Sequence, residues 1–339
     1  GSSKNKIEKN IQDTKYKILN TRADVLIGTH AVLSEKVNFD RLGLIVIDEQ
    51  HRFGVEQRSI MRSKGDNPHV LTMTATPIPR TVALTLYSDL DLSVIDEMPK
   101  GREPVKTWFV PQSKRDGAYK WIEKKIKEGD QAFIVCPFIE ESESMTTIKA
   151  ATKEFDRLQK NIFPKLKLGL LHGKQKARDK DSILQEFRDK KIDILVATPV
   201  VEVGIDIPNA TIIVIEASER FGLAALHQLR GRVGRGEKKS FCLLFSESAS
   251  PQTFHRLKSL EKINNGAELS ELDLKMRGAG EMYGTMQHGR KWLKIADMGD
   301  TKLISIARQE ANKIFPNLKK YPDLEKKVET LTDSSVSPD

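Results

Sequence analysis

Leu44-Ile45-Val46-Ile47-Asp48-Glu49-Gln50-His51 is an apolar tetrapeptide that stops abruptly on two adjacent carboxylates. Four strand-forming residues in a row predict a buried strand, and acids delivered at its end fit the carboxyl edge of a parallel α/β sheet, where ligands bind. Successive side chains at a strand end point to opposite sides, so Asp48 and Glu49 suit different tasks. One can hold Mg²⁺ while the other polarises an attacking water, as in a nucleoside-triphosphate hydrolase. The same pair also suits an exposed acidic turn after a core strand.

A second phrase, Gln228-Leu229-Arg230-Gly231-Arg232-Val233-Gly234-Arg235-Gly236, stands far downstream. Arg232 and Arg235 are three residues apart and share one helical face or turn. Planar guanidinium forks suit a trigonal phosphoryl group, and the three glycines beside them favour close approach to a ligand over a solvated basic loop. The two phrases together read as halves of a nucleotide motor. No Gly-x-x-x-x-Gly-Lys-Ser/Thr phosphate loop occurs in the 339 residues.

Around these phrases, strand-like and helix-like segments alternate in two series, which predicts an α/β protein with two parallel-sheet lobes. In the first series, 24–28, 44–48 and 70–74 read as strands and 55–63 and 80–87 as helices. With no opening strand or phosphate loop, and with Gly1-Ser2-Ser3 at its start, this lobe is expected to be a cut portion of a longer protein. Residues 98–104, with two prolines and a glycine, read as the linker. The second lobe offers strands at 131–136, 166–171, 192–197, 211–215 and 240–245. Its helices are expected around Tyr119, Ile122 and Ile126 and at 145–159, 176–189 and 223–229. From about Ser246 the chain reads as helical and polar, with a glycine-rich stretch from Arg277 to Gly289 and a frayed tail from Ser334. The expected domains are therefore 1–100, 101–248 and 249–339.

Charged residues make up 30% and hydrophobic residues 38% of the chain, and no run approaches the roughly 20 apolar positions of a membrane span. A cytoplasmic protein is expected. Cys136 and Cys242 each sit in an apolar run and are expected to be core thiols. The net charge of +9 favours a polyanionic partner but does not by itself select nucleic acid, because Lys and Arg are interspersed with Asp and Glu.

Two further phrases follow apolar runs. In Thr74-Ala75-Thr76-Pro77-Ile78-Pro79-Arg80 the hydroxyls could relay hydrogen bonds from the acidic turn to a bound polymer. Thr76 also suits an N-cap and Pro79 a first helical position. In the run from Thr198 to Pro208, Gly204 offers close backbone approach to a nucleotide and Asp206 a ribose ligand, although a plain surface loop uses the same residue types.

In order along the chain, Asp48 to Val55, Thr74 to Thr81, Glu202 to Ala210 and Gln228 to Gly236 resemble motifs II, III, V and VI of the RecG family of superfamily 2 helicases. Asp273-Leu274-Lys275-Met276-Arg277-Gly278-Ala279-Gly280-Glu281, with Gly284 and Gln287-His288-Gly289, resembles that family's translocation motif. Ala279 and Met286 stand where the family usually has proline and arginine. The resemblance implies two RecA-like lobes, the first truncated, and a helical appendage. It also implies an ATP-dependent helicase that remodels stalled forks and migrates branched DNA, working as a monomer without membrane contact. The wedge domain and Walker A segment of such a protein are not in this sequence, so the chain alone is expected to hydrolyse little ATP.

By the same resemblance Asp48 is the Mg²⁺ ligand, Glu49 the catalytic acid/base, and Gln228, Arg232 and Arg235 phosphate sensors. Gly204 and Asp206 belong to the nucleotide face. Thr29, His30 and Thr198 touch DNA, His51, Thr74 and Thr76 couple the two faces, and Arg277 and Gln287 serve translocation. An Mfd-like transcription-repair translocase, or a non-catalytic nucleic-acid-binding remnant, are the alternatives.

Overall fold

The computed structural model describes residues 24–35, 37–49, 53, 55–75, 91–95, 97, 101, 103–137, 144–199, 207–236, 238–248, 250–277 and 301–332. The helix expected at 80–87, the glycine-rich stretch beyond Arg277 and the tail from Ser334 lie outside these residues. The chain divides into two compact units, residues 1–75 with 314–339 and residues 76–313.

In the first unit, strand β1 (Leu44–Ile47) pairs in parallel with β2 (His69–Thr72), with Ile47 opposite Thr72. Parallel neighbours need a crossover, and helix α1 (Val55–Arg62) lies within it. Ile45 and Ile47 are buried while Leu44 and Val46 are exposed. The strand therefore has one covered face, where the sequence suggested burial on both. Residues 24–28 form no strand, contrary to expectation. Val25 and Ile27 are largely exposed, and a strand persists only where a neighbour completes its hydrogen-bond ladder.

The second unit holds, in order, β3 (Lys106–Val110), α2 (Arg115–Lys127), β4 (Gln131–Val135), α3 (Ser144–Arg157), β5 (Leu168–Leu171) and α4 (Ala177–Arg188). Then come β6 (Ile194–Ala197), β7 (Ala210–Ile215), α5 (Leu223–Arg230), β8 (Phe241–Phe245), α6 (Pro251–Lys262) and α7 (Gly266–Arg277). Its strands form one parallel sheet in the order β3-β8-β7-β4-β6-β5. Every residue of β4, β6 and β7 is buried, because helices cover both faces.

Alternate strand residues sort into two cores. Phe133, Val135, Leu195, Ile213 and Ile215 pack with Phe187 of α4 and Leu226 and Leu229 of α5. Ile134, Ile194, Val196, Ile212 and Val214 pack with Ile122 and Ile126 of α2. Burying one such side chain contributes roughly 1.5–3 kcal/mol, so these layers fix the sheet on which the downstream loops are mounted. Cys136 and Cys242 are free and buried, as core thiols. Burial pushes the Cys242 thiol up to about 12 and raises that of Cys136 as well.

Strand β3 was not expected. Lys-Thr-Trp-Phe-Val lies on the sheet edge with alternating exposure, so it lacks the continuous apolar run that marks the central strands. Helix α8 (Thr301–Ile314), a 3₁₀ turn at Phe315–Lys320 and α9 (Pro322–Thr332) are the last described elements, matching the helical, polar reading of this region. No described helix is long and apolar enough to cross a membrane.

Candidate functional site

In the first unit the parallel register brings Asp48 and Thr74 out at the same, carboxyl end of the β1–β2 pair. Met73 N–H donates to Ile47 C=O at 2.8 Å, closing the last rung before both loops. Asp48 is exposed, and its Oδ1 accepts the Glu49 N–H at 2.9 Å. Glu49 is half-buried and has φ of 53°, a left-handed conformation that costs a residue with a Cβ roughly 1–2 kcal/mol. The turn thus fixes one carboxylate oxygen of Asp48 against the backbone, and its Oδ2 has no hydrogen-bond partner among the described residues. Thr74 is exposed.

Thr29 precedes a 3₁₀ turn at His30–Leu33, and the His30 ring stacks on Phe53, with centroids 4.6 Å apart and planes at 10°. This contact joins the Thr29-His30 turn to the segment following the acids. The pairing joins residues 23 apart, so the sequence alone does not announce it.

The second unit also presents its polar groups at strand ends. Thr198 follows β6, is only 2% exposed, and donates its N–H to Leu171 C=O of β5 at 3.2 Å. Its Oγ1 and the Nδ1 of the neighbouring His172 are buried with no hydrogen-bond partner among the described residues. Both groups stand at adjacent carboxyl strand ends, where ligands bind in open parallel sheets.

Helix α5 carries Gln228 in its last turn, half-buried. The helical course then tightens: Gly231 N–H donates to His227 C=O, Arg232 N–H to Leu229 C=O and Val233 N–H to Arg230 C=O. Val233 is buried and anchors the turn, and Gly234 has φ of 76° with a Cβ position only 2.8 Å from Val105 Cγ2. Only glycine fits there. The result places Arg232 half-buried and Arg235 exposed, the latter's Nε donating weakly to Gly231 C=O at 3.5 Å.

Arg230, the remaining arginine of the phrase, has a different surrounding. It is 4% exposed, and its guanidinium donates to the C=O groups of Leu260, Ile263 and Asn264 at 2.9–3.2 Å and meets His227 Nδ1 at 2.8 Å. These acceptors lie at the end of α6 and in the turn to α7, so Arg230 fastens the arginine-bearing helix to the helices that follow. Burial, then the charge of Arg230, lowers the His227 pKa to about 4, which keeps the ring neutral. Burial also lowers that of Arg230. The sequence holds a signal for this, an Arg three residues after a His on a helix otherwise apolar but for Gln228, but not its partners.

A second buried network went unread. Glu216, after β7, lies 3.0 Å from Arg115 and accepts from the Tyr119 hydroxyl at 3.3 Å, and Arg157 donates to that hydroxyl at 2.9 Å. Burial pushes Glu216 up to about 7 against the opposing pull of Arg115. Burial, with Glu216 nearby, raises Tyr119 to about 12.

His51, Thr76, Gly204, Asp206 and Gln287 lie outside the described residues, as does the side chain of Arg277. Within the first unit Asp48, Glu49 and Thr74 share one end of the sheet. Within the second, Gln228, Arg232 and Arg235 share one helix end. An oxygen donor on an exposed strand-end carboxylate suits Mg²⁺, which keeps several waters and binds through one or two carboxylates. Asp48 fits that requirement.

Comparison with known proteins agrees with this architecture. Residues 2–85 match the DEAD/DEAH box helicase family model, 114–237 the helicase conserved C-terminal domain, and 263–329 the C-terminal part of domain 3 of ATP-dependent DNA helicase RecG. The chain is 49% identical over 308 residues to ATP-dependent DNA helicase RecG of Synechocystis sp., covering 90% of this chain and 37% of that one. It is 47% identical over 301 residues to its counterpart in Thermotoga maritima, covering 88% and 38%. The chain thus spans under two fifths of these relatives.

A solved structure of RecG bound to a three-way DNA junction matches with a TM-score of 0.67 and 44% identity over 86% of this chain and 37% of that one. Mss116p bound to single-stranded RNA and AMP-PNP matches at 0.54 with 22% identity over 74% of this chain and 54% of that one, a likeness of fold alone. The parallel-sheet units are of the RecA-like helicase type.

Proposed function

This chain belongs to the RecG family of helicases, and from that premise we propose that it supplies part of the ATP-hydrolysing, DNA-moving machinery of a helicase acting on branched or forked DNA. The observation that carries the reading is the 49% identity across 90% of the chain. The relatives' names support it over an Mfd-like translocase or a non-catalytic remnant.

In this reading ATP is the substrate. Asp48 holds Mg²⁺, which when bound supplies charge neutralisation of the phosphates. Glu49 orients the attacking water and takes its proton, and its left-handed backbone holds it at one angle to Asp48. Gln228, Arg232 and Arg235 contact the γ-phosphate, with Gly234 giving the backbone its turn between the arginines. Gly204 and Asp206 meet the nucleotide, Thr29, His30 and Thr198 meet DNA, and His51, Thr74 and Thr76 relay between them. Arg277 and Gln287 serve translocation. The protein works as a cytoplasmic monomer. Lacking a phosphate loop, whose amides and lysine cradle the triphosphate, the 339-residue chain by itself turns over little ATP.

The test is Glu49→Gln in the full-length protein carrying this chain. ATP binding is expected to persist while DNA-stimulated hydrolysis falls by roughly 10²–10⁴-fold, the usual worth of a general base. Hydrolysis at the unaltered rate would remove Glu49 from the chemistry.

A further inference from the structure

Three aromatic rings meet at the edge of the six-stranded sheet. Trp108 of β3 stacks on Phe241 of β8 with centroids 5.4 Å apart and planes at 19°. Trp121 of α2 meets Trp108 edge-on at 5.6 Å and Phe241 at 5.0 Å. Phe241 opens β8 opposite Lys106, which opens β3, so the group lies toward the amino ends of these strands. Thr198 and Glu216 lie at the opposite, carboxyl ends.

Trp108 is 40% exposed even though Phe241 and Trp121 hold its ring on two sides. An indole fixed in orientation by its neighbours and open to solvent is a preformed stacking surface. β3 is an edge strand among the described residues.

The surroundings are basic. Lys106 is two residues from Trp108 on the same strand face, Lys239 two residues before Phe241, Lys120 beside Trp121, and Lys124 one helical turn beyond it. All four are exposed. Of the nearby acids, Glu123 pairs with Lys127, Glu128 with Lys125 and Asp130 with Lys238, while Asp116 and Glu103 are exposed. Lys124 acts on Glu128 only at longer range. Lys106, Lys120 and Lys239 form no ion pair among the described residues.

We propose that this patch is an accessory binding site for single-stranded nucleic acid, a base stacking on Trp108 while Lys106, Lys120, Lys124 and Lys239 meet the flanking phosphates. An exposed ring alone would suit any apolar partner. The unneutralised lysines around it select a polyanion whose repeating unit carries a flat ring, which is the pairing of features that single-strand sites use. The proposal rests on the helicase reading only in expecting DNA to be present, and it places an unpaired strand away from the strand-end groups assigned to ATP and to the moving duplex.

The experiment is fluorescence-anisotropy titration of the 339-residue chain with a labelled dT oligonucleotide and, separately, with a three-way junction lacking single-stranded arms. Trp108→Ala is expected to weaken dT binding roughly tenfold, the typical worth of one stacked base. Lys106→Glu with Lys239→Glu, at exposed positions that do not bear on folding, is expected to weaken it as well and to flatten its salt dependence. Junction binding should be unaffected. Unchanged dT affinity in the lysine variant, no dT binding by the unaltered chain, or tighter capture of polyglutamate than of dT would each overturn the proposal. Loss of this site with junction binding retained leaves the helicase reading standing, whereas failure to bind either DNA counts against both.

Discussion

Glu216 is buried and His227 half-buried in the same unit, and their titrations oppose each other. The Glu216 carboxyl titrates near 7 when folded against an ordinary 4.5. Between those values the folded chain keeps a proton that the unfolded chain has released, so stability present at low pH is lost as pH rises through that window. His227 titrates near 4 when folded against an ordinary 6.5. There the unfolded chain takes up a proton that the folded chain refuses, so stability is lost as pH falls from 6.5 toward 4. The two contributions offset one another. Urea unfolding of Glu216→Gln is expected to show stability rising from pH 4 to 6.5, and His227→Gln the reverse slope between 4.5 and 7. Identical pH profiles for both variants would show that neither group is held as described. Arg230→Met, which strips the donor from three carbonyls of the α6–α7 region, is expected to cost about 2–4 kcal/mol in the same assay.

Elements differ in how plainly the sequence announces them. β4, β6 and β7 read directly because all positions but Gln131 and Thr211 are apolar, the mark of a strand covered on both faces. β3 did not, because an edge strand carrying Lys106 and Trp108 toward solvent has the pattern of a linker. Residues 24–28 misled for the converse reason: apolar residues suggest a strand, but only a neighbour makes one. The arginine phrase was legible as chemistry, and its division of labour was not, since Arg230 finds its partners 30 to 34 residues away. The turn between Arg232 and Arg235 depends on Gly234. Gly234→Ala, forced to keep a φ of 76° and to press on Val105, is expected to destabilise the second unit by about 1–3 kcal/mol. A thermal-unfolding midpoint equal to the unaltered chain's would show that the turn relaxes freely.

For the whole molecule, a net charge of +9 favours a polyanionic partner, which in the proposed function is DNA, and phosphate contacts make such affinity fall steeply with salt. Junction affinity that stays flat between low and physiological ionic strength would argue against a phosphate-tracking surface. The central proposal is that the arginines after α5 act on the γ-phosphate of ATP. It is tested most directly by DNA-stimulated ATP hydrolysis in the full-length protein, unaltered against Arg235→Ala, with junction affinity measured on the same samples. Turnover is expected to fall by roughly 10³-fold or more, the lower end of what an arginine finger contributes, with junction affinity retained. Hydrolysis by Arg235→Ala at the unaltered rate would contradict it.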